Sequence, residues 1–445
     1  MAVSLNKKVH ITTLGCSKNV VDSEILMGQL NANSFDVIES PENSDVIIVN
    51  TCGFIQSAKE ESIQAILEAL ELKERDPAKK VFVAGCLSQR YKPEIEKEMP
   101  GVDAIFGTED YQSILKALGK KHSAVDNLHR LRMVSTPRHF AYLKISEGCN
   151  HSCAFCAIPH IRGKHRSRSI ESLVEESKKL AENGAKELIL VSQDTSHYGK
   201  DLYGKQSIVN LLQQLEKVDG IEWIRVLYWY PTNFPKDVIQ LMKGSSKILP
   251  YIDMPIQHIS ENMLRTMRRG DTRQSLDGLF EMFREEIPHI TLRTTFILGH
   301  PGETDKDFDE LTNYIRKIRF DRVGTFVYSD EENTYAFDQK NKVDEELANQ
   351  RQAEFMEIQK DISFDLNEQY IGKKLKVLID DFDINTFTYY GRTFRDAPEI
   401  DNEVIIQSDE SVNIKPGDFA DVIIDDAAEY ELFGSFEVKT EKSIA

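Results

Sequence analysis

Three closely spaced cysteines, Cys149, Cys153 and Cys156, form the most restrictive chemical pattern in the chain, a C-x3-C-x2-C run inside YLKISEGCNHSCAFCAIPHIRG, residues 142–163. A loop with that spacing can wrap three thiolates onto three irons of a 4Fe-4S cube and leave the fourth iron without a protein ligand. The open iron would be the working part. Zinc is the competing reading for closely spaced cysteines, but structural zinc usually takes four ligands, commonly from C-x2-C pairs, and no histidine stands here at finger spacing.

The other three cysteines, Cys16, Cys52 and Cys86, lie far apart, yet each closes an apolar run and opens a helical pattern: ITTLGC, VIIVNTC and VFVAGC. In an open parallel sheet the strand ends meet along one edge, so three such thiols can converge. For any one of them a buried, inert thiol is the ordinary reading. Three at the same topological position argue for one site, and three thiolates would again leave one iron free. Six cysteines could instead form three disulfides, but a long cytosolic chain is kept reduced, and thiolates there more often bind metal or react.

The elements that must position these residues follow from length and periodicity. At 445 residues the chain exceeds one ordinary core, and roughly 150 residues per domain suggests three. Residues 8–119 alternate short apolar runs with amphipathic helices, as in an open parallel-sheet α/β domain carrying Cys16, Cys52 and Cys86. A polar stretch from Gly119 to His139, with turn-prone Asn127 and Pro137, reads as a linker. Over residues 135–368 six strand candidates (AYLKIS, ELILVSQ, WIRVLYWY, YIDMPIQH, TLRTTFILG, RVGTFVYS) are each followed by a helical pattern, which predicts a partial (β/α)6 barrel with catalytic loops at the strand ends. The segment EELANQRQAEFMEIQKDISFDLNEQYIG predicts one long helix ending at Gly372. Residues 369–437 then carry KLKVLIDD, TFTYYGRT, NEVIIQ and FADVIIDDA, short strands of a small β-barrel of the oligonucleotide-binding type. No stretch reaches the roughly 20 apolar residues of a membrane span, and the first residues lead into a strand, so the expectation is a cytoplasmic protein with no membrane contact.

With its flanks, EGCNxxCxFC resembles the radical S-adenosylmethionine superfamily. TLGCSKNxxDSE, NTCGF and AGCLxQ, together with that core and the tail, resemble the methylthiotransferase family from Lys8 to Glu437, the tail corresponding to its TRAM domain. The resemblance implies two 4Fe-4S clusters with a division of labour. The cluster on Cys149, Cys153 and Cys156 would chelate S-adenosylmethionine by its amino and carboxylate groups and cleave it to methionine and a 5′-deoxyadenosyl radical. The cluster on Cys16, Cys52 and Cys86 would hold the sulfur that is methylated and inserted. A reductant of flavodoxin or ferredoxin type and a sulfur donor would complete the system.

Beyond the cysteines, Gln193, Asp194 and Thr195 follow the second barrel strand, where related enzymes contact the methionyl amino group; a helix or turn cap is the competing reading for Asp194. Arg293, polar within an apolar strand, should face a carboxylate of the cofactor or of a neighbouring side chain. Gly299, Pro301 and Gly302 could bring backbone amides to the adenosyl group or form a plain turn. By resemblance, Tyr228 to Pro231 and the segment with Gln257 and His258 line the substrate side, with ordinary core packing as the alternative for the aromatic run. The basic run His160 to Ser169 could bind carboxylates or be a solvated loop.

Charge separates the substrates. The net charge is −18, and residues 370–445 hold seventeen acidic against eight basic residues, half of that excess. An RNA-binding barrel needs a positive groove and stacking platforms, because phosphate neutralisation supplies most of its affinity. This one has the opposite sign and suits a basic protein. LGCSKN, IPHIRG, YWYPTNF and RDAPEIDNEV also resemble the branch of the family that modifies an aspartate of ribosomal protein S-twelve, whereas transfer RNA enzymes more typically show Gln-Met-Asn after the first cysteine. Two mild departures are Ser17 where proline is common and Asn402 where glycine is. The expectation is a monomeric enzyme that methylthiolates the β-carbon of that aspartate with two S-adenosylmethionine molecules, one the methyl donor and one the radical source. The alternatives are a transfer RNA adenosine methylthiotransferase and, from another class, an iron-sulfur carrier or acidic binding protein without turnover.

Overall fold

A computed structural model of the chain describes residues 6–119, 128–408 and 412–437. Asn127, part of the expected linker, lies outside the described residues.

The amino-terminal domain is a five-stranded sheet in the order Asp36–Val37, Lys8–Thr13, Val46–Thr51, Lys80–Gly85, Ala104–Ile105, parallel throughout. Val46–Thr51 is buried at every position, as a central parallel strand covered on both faces must be. The two-residue period divides its side chains. Val46 and Ile48 pack with Val21, Ile25 and Ile114 on one face, while Ile47 and Val49 pack with Ile66, Ala69 and Leu87 on the other. The first face is not closed by its own domain: its core runs on into Phe140, Tyr142, Ile189 and Tyr251 of the next.

That second domain holds the six expected strands, Phe140–Lys144, Glu187–Val191, Trp223–Val226, Tyr251–Asp253, Thr291–Leu298 and Arg322–Val327. They form two parallel three-stranded sheets, with one isolated parallel bridge, Ile224 to Ile248, at the join. Side chains alternate here too: Ala141, Leu143, Leu188 and Leu190 face the surrounding helices, while Phe140, Tyr142, Ile189 and Val191 face inward.

The long helix is Glu345–Glu368 and stops short of Gly372. Near its end Asn367 donates its side chain to the carbonyls of Ala428 and Glu429 of the barrel, and the chain turns before Gly372, at φ +78°. Five strands, Lys374–Asp383, Thr388–Arg392, Glu403–Gln407, Glu431–Phe436 and Phe419–Ala427 in spatial order, then close a barrel. The strand Glu431–Phe436 adds to the four expected.

Buried ion pairs fasten this barrel to the central domain. Arg392 joins Glu187 to Asp380, Arg322 holds Asp396, and Arg395 holds Asp321. Several acids of the tail are thus consumed internally. Asp381, Glu403, Asp421, Asp425 and Asp426 remain on its exposed exterior.

Candidate active site

The loop that carries Cys149, Cys153 and Cys156 leaves the first barrel strand through Gly148, at φ +76°, where a Cβ would stand 2.3 Å from the Lys164 carbonyl oxygen. The Cys149 N–H donates to the Gly163 carbonyl at 3.0 Å and closes the loop, and Ile158–Arg162 continues it as a short helix. The His151 N–H donates to Cys149 Sγ at 3.4 Å. Cys153 Sγ lies 3.5 Å from Arg269 Nη1 and 3.7 Å from the Tyr230 hydroxyl. The Arg269 guanidinium covers the Tyr230 ring at 4.1 Å, and the other ring contact of Tyr230 is the stacked imidazole of His151 at 3.6 Å. Burial pushes Cys149 up to about 11 and Cys156 up to about 12. Free Cys149 and Cys156 therefore stay protonated, and a bound metal would supply the charge that ionises them.

The second set converges as the strand ends predict. Cys16 stands at the start of the helix Ser17–Ala32, Cys52 follows Val46–Thr51, and Cys86 begins the helix Cys86–Glu98. Gly15 is at φ +89° and lies so close that a Cβ there would be 2.9 Å from Cys52 Sγ. One side chain ties the three strand ends together. Asn19 Nδ2 donates to the carbonyls of Leu14 at 2.8 Å and Thr51 at 3.0 Å, and its Oδ1 lies 3.8 Å from Cys86 Sγ and accepts from Arg162 Nη2 at 2.5 Å. Burial opposes ionisation of all three thiols and pushes Cys86 up to about 12, but at Cys16 the charges of Lys18 and Arg162 outweigh it and hold the pKa below its ordinary value.

The two sets approach at the domain boundary: Cys86 packs against Ile161 and against Ala157, the residue after Cys156. A buried ionic group spans the same boundary. Arg162 Nη1 bonds Asp22 at 3.1 Å and Glu147 at 2.9 Å, while Lys144 Nζ binds Glu109 and Glu147, each at 2.9 Å, and Asp22. The carboxylates of Asp22, Glu109 and Glu147 approach one another as metal ligands would, but the ammonium already among them fills that role.

The remaining expected residues divide. Gln193 donates to Glu147 Oε1 at 2.8 Å and leaves its own Oε1 buried without a partner. Asp194 caps the turn at the His197 N–H and accepts from His151 Nε2 at 2.7 Å, so it fixes the ring that stacks on Tyr230. Thr195 is buried and bonds the Leu227 carbonyl and Ser192. Arg293 does face carboxylates, and both belong to the chain: Asp253 at 2.8 Å and Asp401 at 3.1 Å. Gly299 sits against the long helix, where a Cβ would meet Ala348 at 2.4 Å, and Gly302 sits against Asn341, so this loop serves packing. His258 is fully buried and accepts from the Ile259 and Ser260 N–H groups. The basic run divides: Arg162 and His165 are buried and Arg168 pairs with Glu176, while His160, Lys164 and Arg166 are exposed. Sequence reasoning passed over Lys18, Asn19 and Arg269. The first two stand in the motif LGCSKN, which gave a family resemblance without singling them out; Arg269 carried no signal.

Residues 8–107 match a family described as Uncharacterized protein family UPF0004, residues 143–315 the Radical SAM superfamily, and residues 371–436 the TRAM domain. The chain is 48% identical over 443 residues to the ribosomal protein uS12 methylthiotransferase RimO of Christiangramia forsetii, covering 99% of this chain and 97% of the relative. It is 47% identical to the protein of the same name from Aquifex aeolicus, covering 96% of each chain. Among solved structures it is similar to the radical S-adenosylmethionine methyltransferase TsrM from Kitasatospora setae, with a TM-score of 0.56 at 13% identity over 85% of this chain and 79% of that one, a likeness of fold. No helix among the described residues is long and apolar enough to cross a membrane. The chain belongs to the ribosomal protein uS12 methylthiotransferase family of radical S-adenosylmethionine enzymes.

Proposed function

We propose that this chain methylthiolates the β-carbon of an aspartate in ribosomal protein uS12, using two S-adenosylmethionine molecules and one 4Fe-4S cluster on each thiol set. The observation that carries the reading is the packing of Cys86 against Ala157 and Ile161, which sets one triad of soft donors beside the other. Three thiols per set suit a cube with one iron left open. When bound, the cluster on Cys149, Cys153 and Cys156 with its S-adenosylmethionine would supply one-electron cleavage and hydrogen abstraction, and the cluster on Cys16, Cys52 and Cys86 would hold the sulfur that is methylated and inserted.

The chain's own residues position and insulate. The unpartnered Oε1 of Gln193 would accept the cofactor's amino group, a role that Asp194 supports by locking His151 against Tyr230. Arg293, spent on Asp253 and Asp401, holds the third domain in place and is left out of the cofactor site. Arg269 sets a positive charge against Cys153 and packs over the Tyr230 face. Outside the site, the acidic exterior of the carboxy-terminal barrel favours a basic protein over the phosphates of transfer RNA.

The test is to reconstitute the protein anaerobically and supply S-adenosylmethionine, a reductant and sulfide with either uS12 or transfer RNA. The expected result is a methylthio mass increase on an aspartate-containing peptide of uS12. An increase on transfer RNA alone refutes the substrate, and no cleavage of S-adenosylmethionine would leave an iron-sulfur carrier as the better reading.

A further inference from the structure

Every buried lysine or arginine among the described residues except one has a carboxylate within ion-pair reach. The exception is Lys18, which is 7% exposed. Its Nζ donates to the Ser192 carbonyl at 3.3 Å and lies 3.7 Å from the centre of the Tyr228 ring. An ammonium carries three donors, and its carbonyl, one ring face and the Cys16 thiol whose ionisation it favours leave it without a carboxylate partner. The nearest other cation, Arg162, is already committed to Asp22 and Glu147.

The surroundings of Lys18 are those of a receptor. It stands two residues after Cys16, and Cys16, Gln193 and Tyr228 around it are half-buried while Gly15 is exposed, so the position opens toward solvent. Tyr228 is held at φ +62°, an unusual conformation for an aromatic residue, by its N–H donating to Asp253 at 2.9 Å and its carbonyl accepting from Thr195 at 3.0 Å. That constraint turns the ring onto the Lys18 ammonium.

The geometry points to Lys18 as the residue that grips the side-chain carboxylate of the substrate aspartate. This deepens the proposed function and rests on it. In aspartate the β-carbon is bonded to the carboxyl carbon, so a grip on the carboxylate fixes the reacting carbon one bond away, beside the sulfur-bearing triad that begins at Cys16. The same grip rejects asparagine and adenosine, because a neutral group leaves the buried ammonium unpaired.

The experiment compares wild type, Lys18→Met and Lys18→Arg as reconstituted holoenzymes with two synthetic peptides of uS12, one carrying the target aspartate and one asparagine in its place. Peptide affinity is read by fluorescence anisotropy, product by mass, and iron and S-adenosylmethionine binding as controls. Wild type should prefer the aspartate peptide by about 30-fold or more in affinity, the scale of an unpaired buried charge. Lys18→Met should lose that preference with iron content and S-adenosylmethionine binding unchanged, and Lys18→Arg should restore part of it. Retained preference in Lys18→Met overturns the inference, as does loss of iron in both variants, which would make Lys18 a support of the cysteine triad. A wild-type enzyme that leaves the aspartate peptide unmodified and unbound would instead overturn the proposed function itself.

Discussion

Replacing Arg162 by methionine removes one of the two cations that hold Asp22 and Glu147 at the boundary between the thiol sets. The guanidinium is 1% exposed and makes three close contacts, to Asp22 at 3.1 Å, Glu147 at 2.9 Å and Asn19 at 2.5 Å. Methionine fills much of the volume and none of the charge, so two buried carboxylates are left to Lys144. Removing one member of a buried pair costs about 3–5 kcal/mol, against roughly 0–1 kcal/mol for an exposed pair such as Arg75 with Glu71, whose side chains are 75% and 65% exposed. The sign with pH is also fixed. Burial works against the ionised form of Glu147, but Lys144 and Arg162 outweigh it and hold its carboxyl well below the ordinary carboxylate range. Its contribution to stability is therefore complete above about pH 4.3, the unfolded value, and is lost as pH falls through the folded one. Without Arg162 the folded value rises, and acid unfolding should begin at a higher pH. Urea and acid titrations of the apo protein, followed by the fluorescence of Trp223 and Trp229, measure both effects, since these are the only tryptophans and both are buried in the central domain. Arg162→Met should shift both transitions and Arg75→Met neither. Equal midpoints for the two variants would refute the reasoning.

Other substitutions separate structural from cofactor roles. Gly85→Ala forces φ +102° on a residue with a Cβ, which would lie 2.5 Å from Asn50 Oδ1 and from the Thr51 carbonyl oxygen. At about 1–3 kcal/mol of strain directly before Cys86, reconstituted iron should fall from about eight toward about four per chain while 5′-deoxyadenosine formation persists. Arg269→Met removes a positive charge from Cys153, so potentiometry followed by electron paramagnetic resonance should find a lower midpoint for the S-adenosylmethionine-binding cluster at unchanged iron content. Arg293→Met should lower the urea midpoint by the equivalent of about 3 kcal/mol and leave the Kd for S-adenosylmethionine unchanged, because its partners are Asp253 and Asp401.

What could be read from the sequence were the features with a local signature. Strand periodicity located the sheets, and the position of Cys16, Cys52 and Cys86 after strands implied their convergence, which the tie through Asn19 explains. Arg293 announced a carboxylate partner by its place in an apolar strand, yet Asp401 stands 108 residues away and had no local sign. The group of Asp22, Lys144, Glu147 and Arg162 was hidden for the same reason, and so was the burial of Arg162 and His165 within the basic run. The strand Glu431–Phe436 escaped because Gly434 interrupts its pattern and Phe433 points outward at 36% exposure. Lys18 stood in the motif LGCSKN with nothing local to show its burial. Its burial depends on Ser192 and Tyr228 from another domain.

The division of labour between the two thiol sets is tested most directly by measuring 5′-deoxyadenosine and methylthio product together in two triple variants. With Ala at positions 16, 52 and 86, cleavage of S-adenosylmethionine should continue and no methylthio group should reach uS12. With Ala at positions 149, 153 and 156, both should be absent. Methylthiolated uS12 from the first variant would contradict the account.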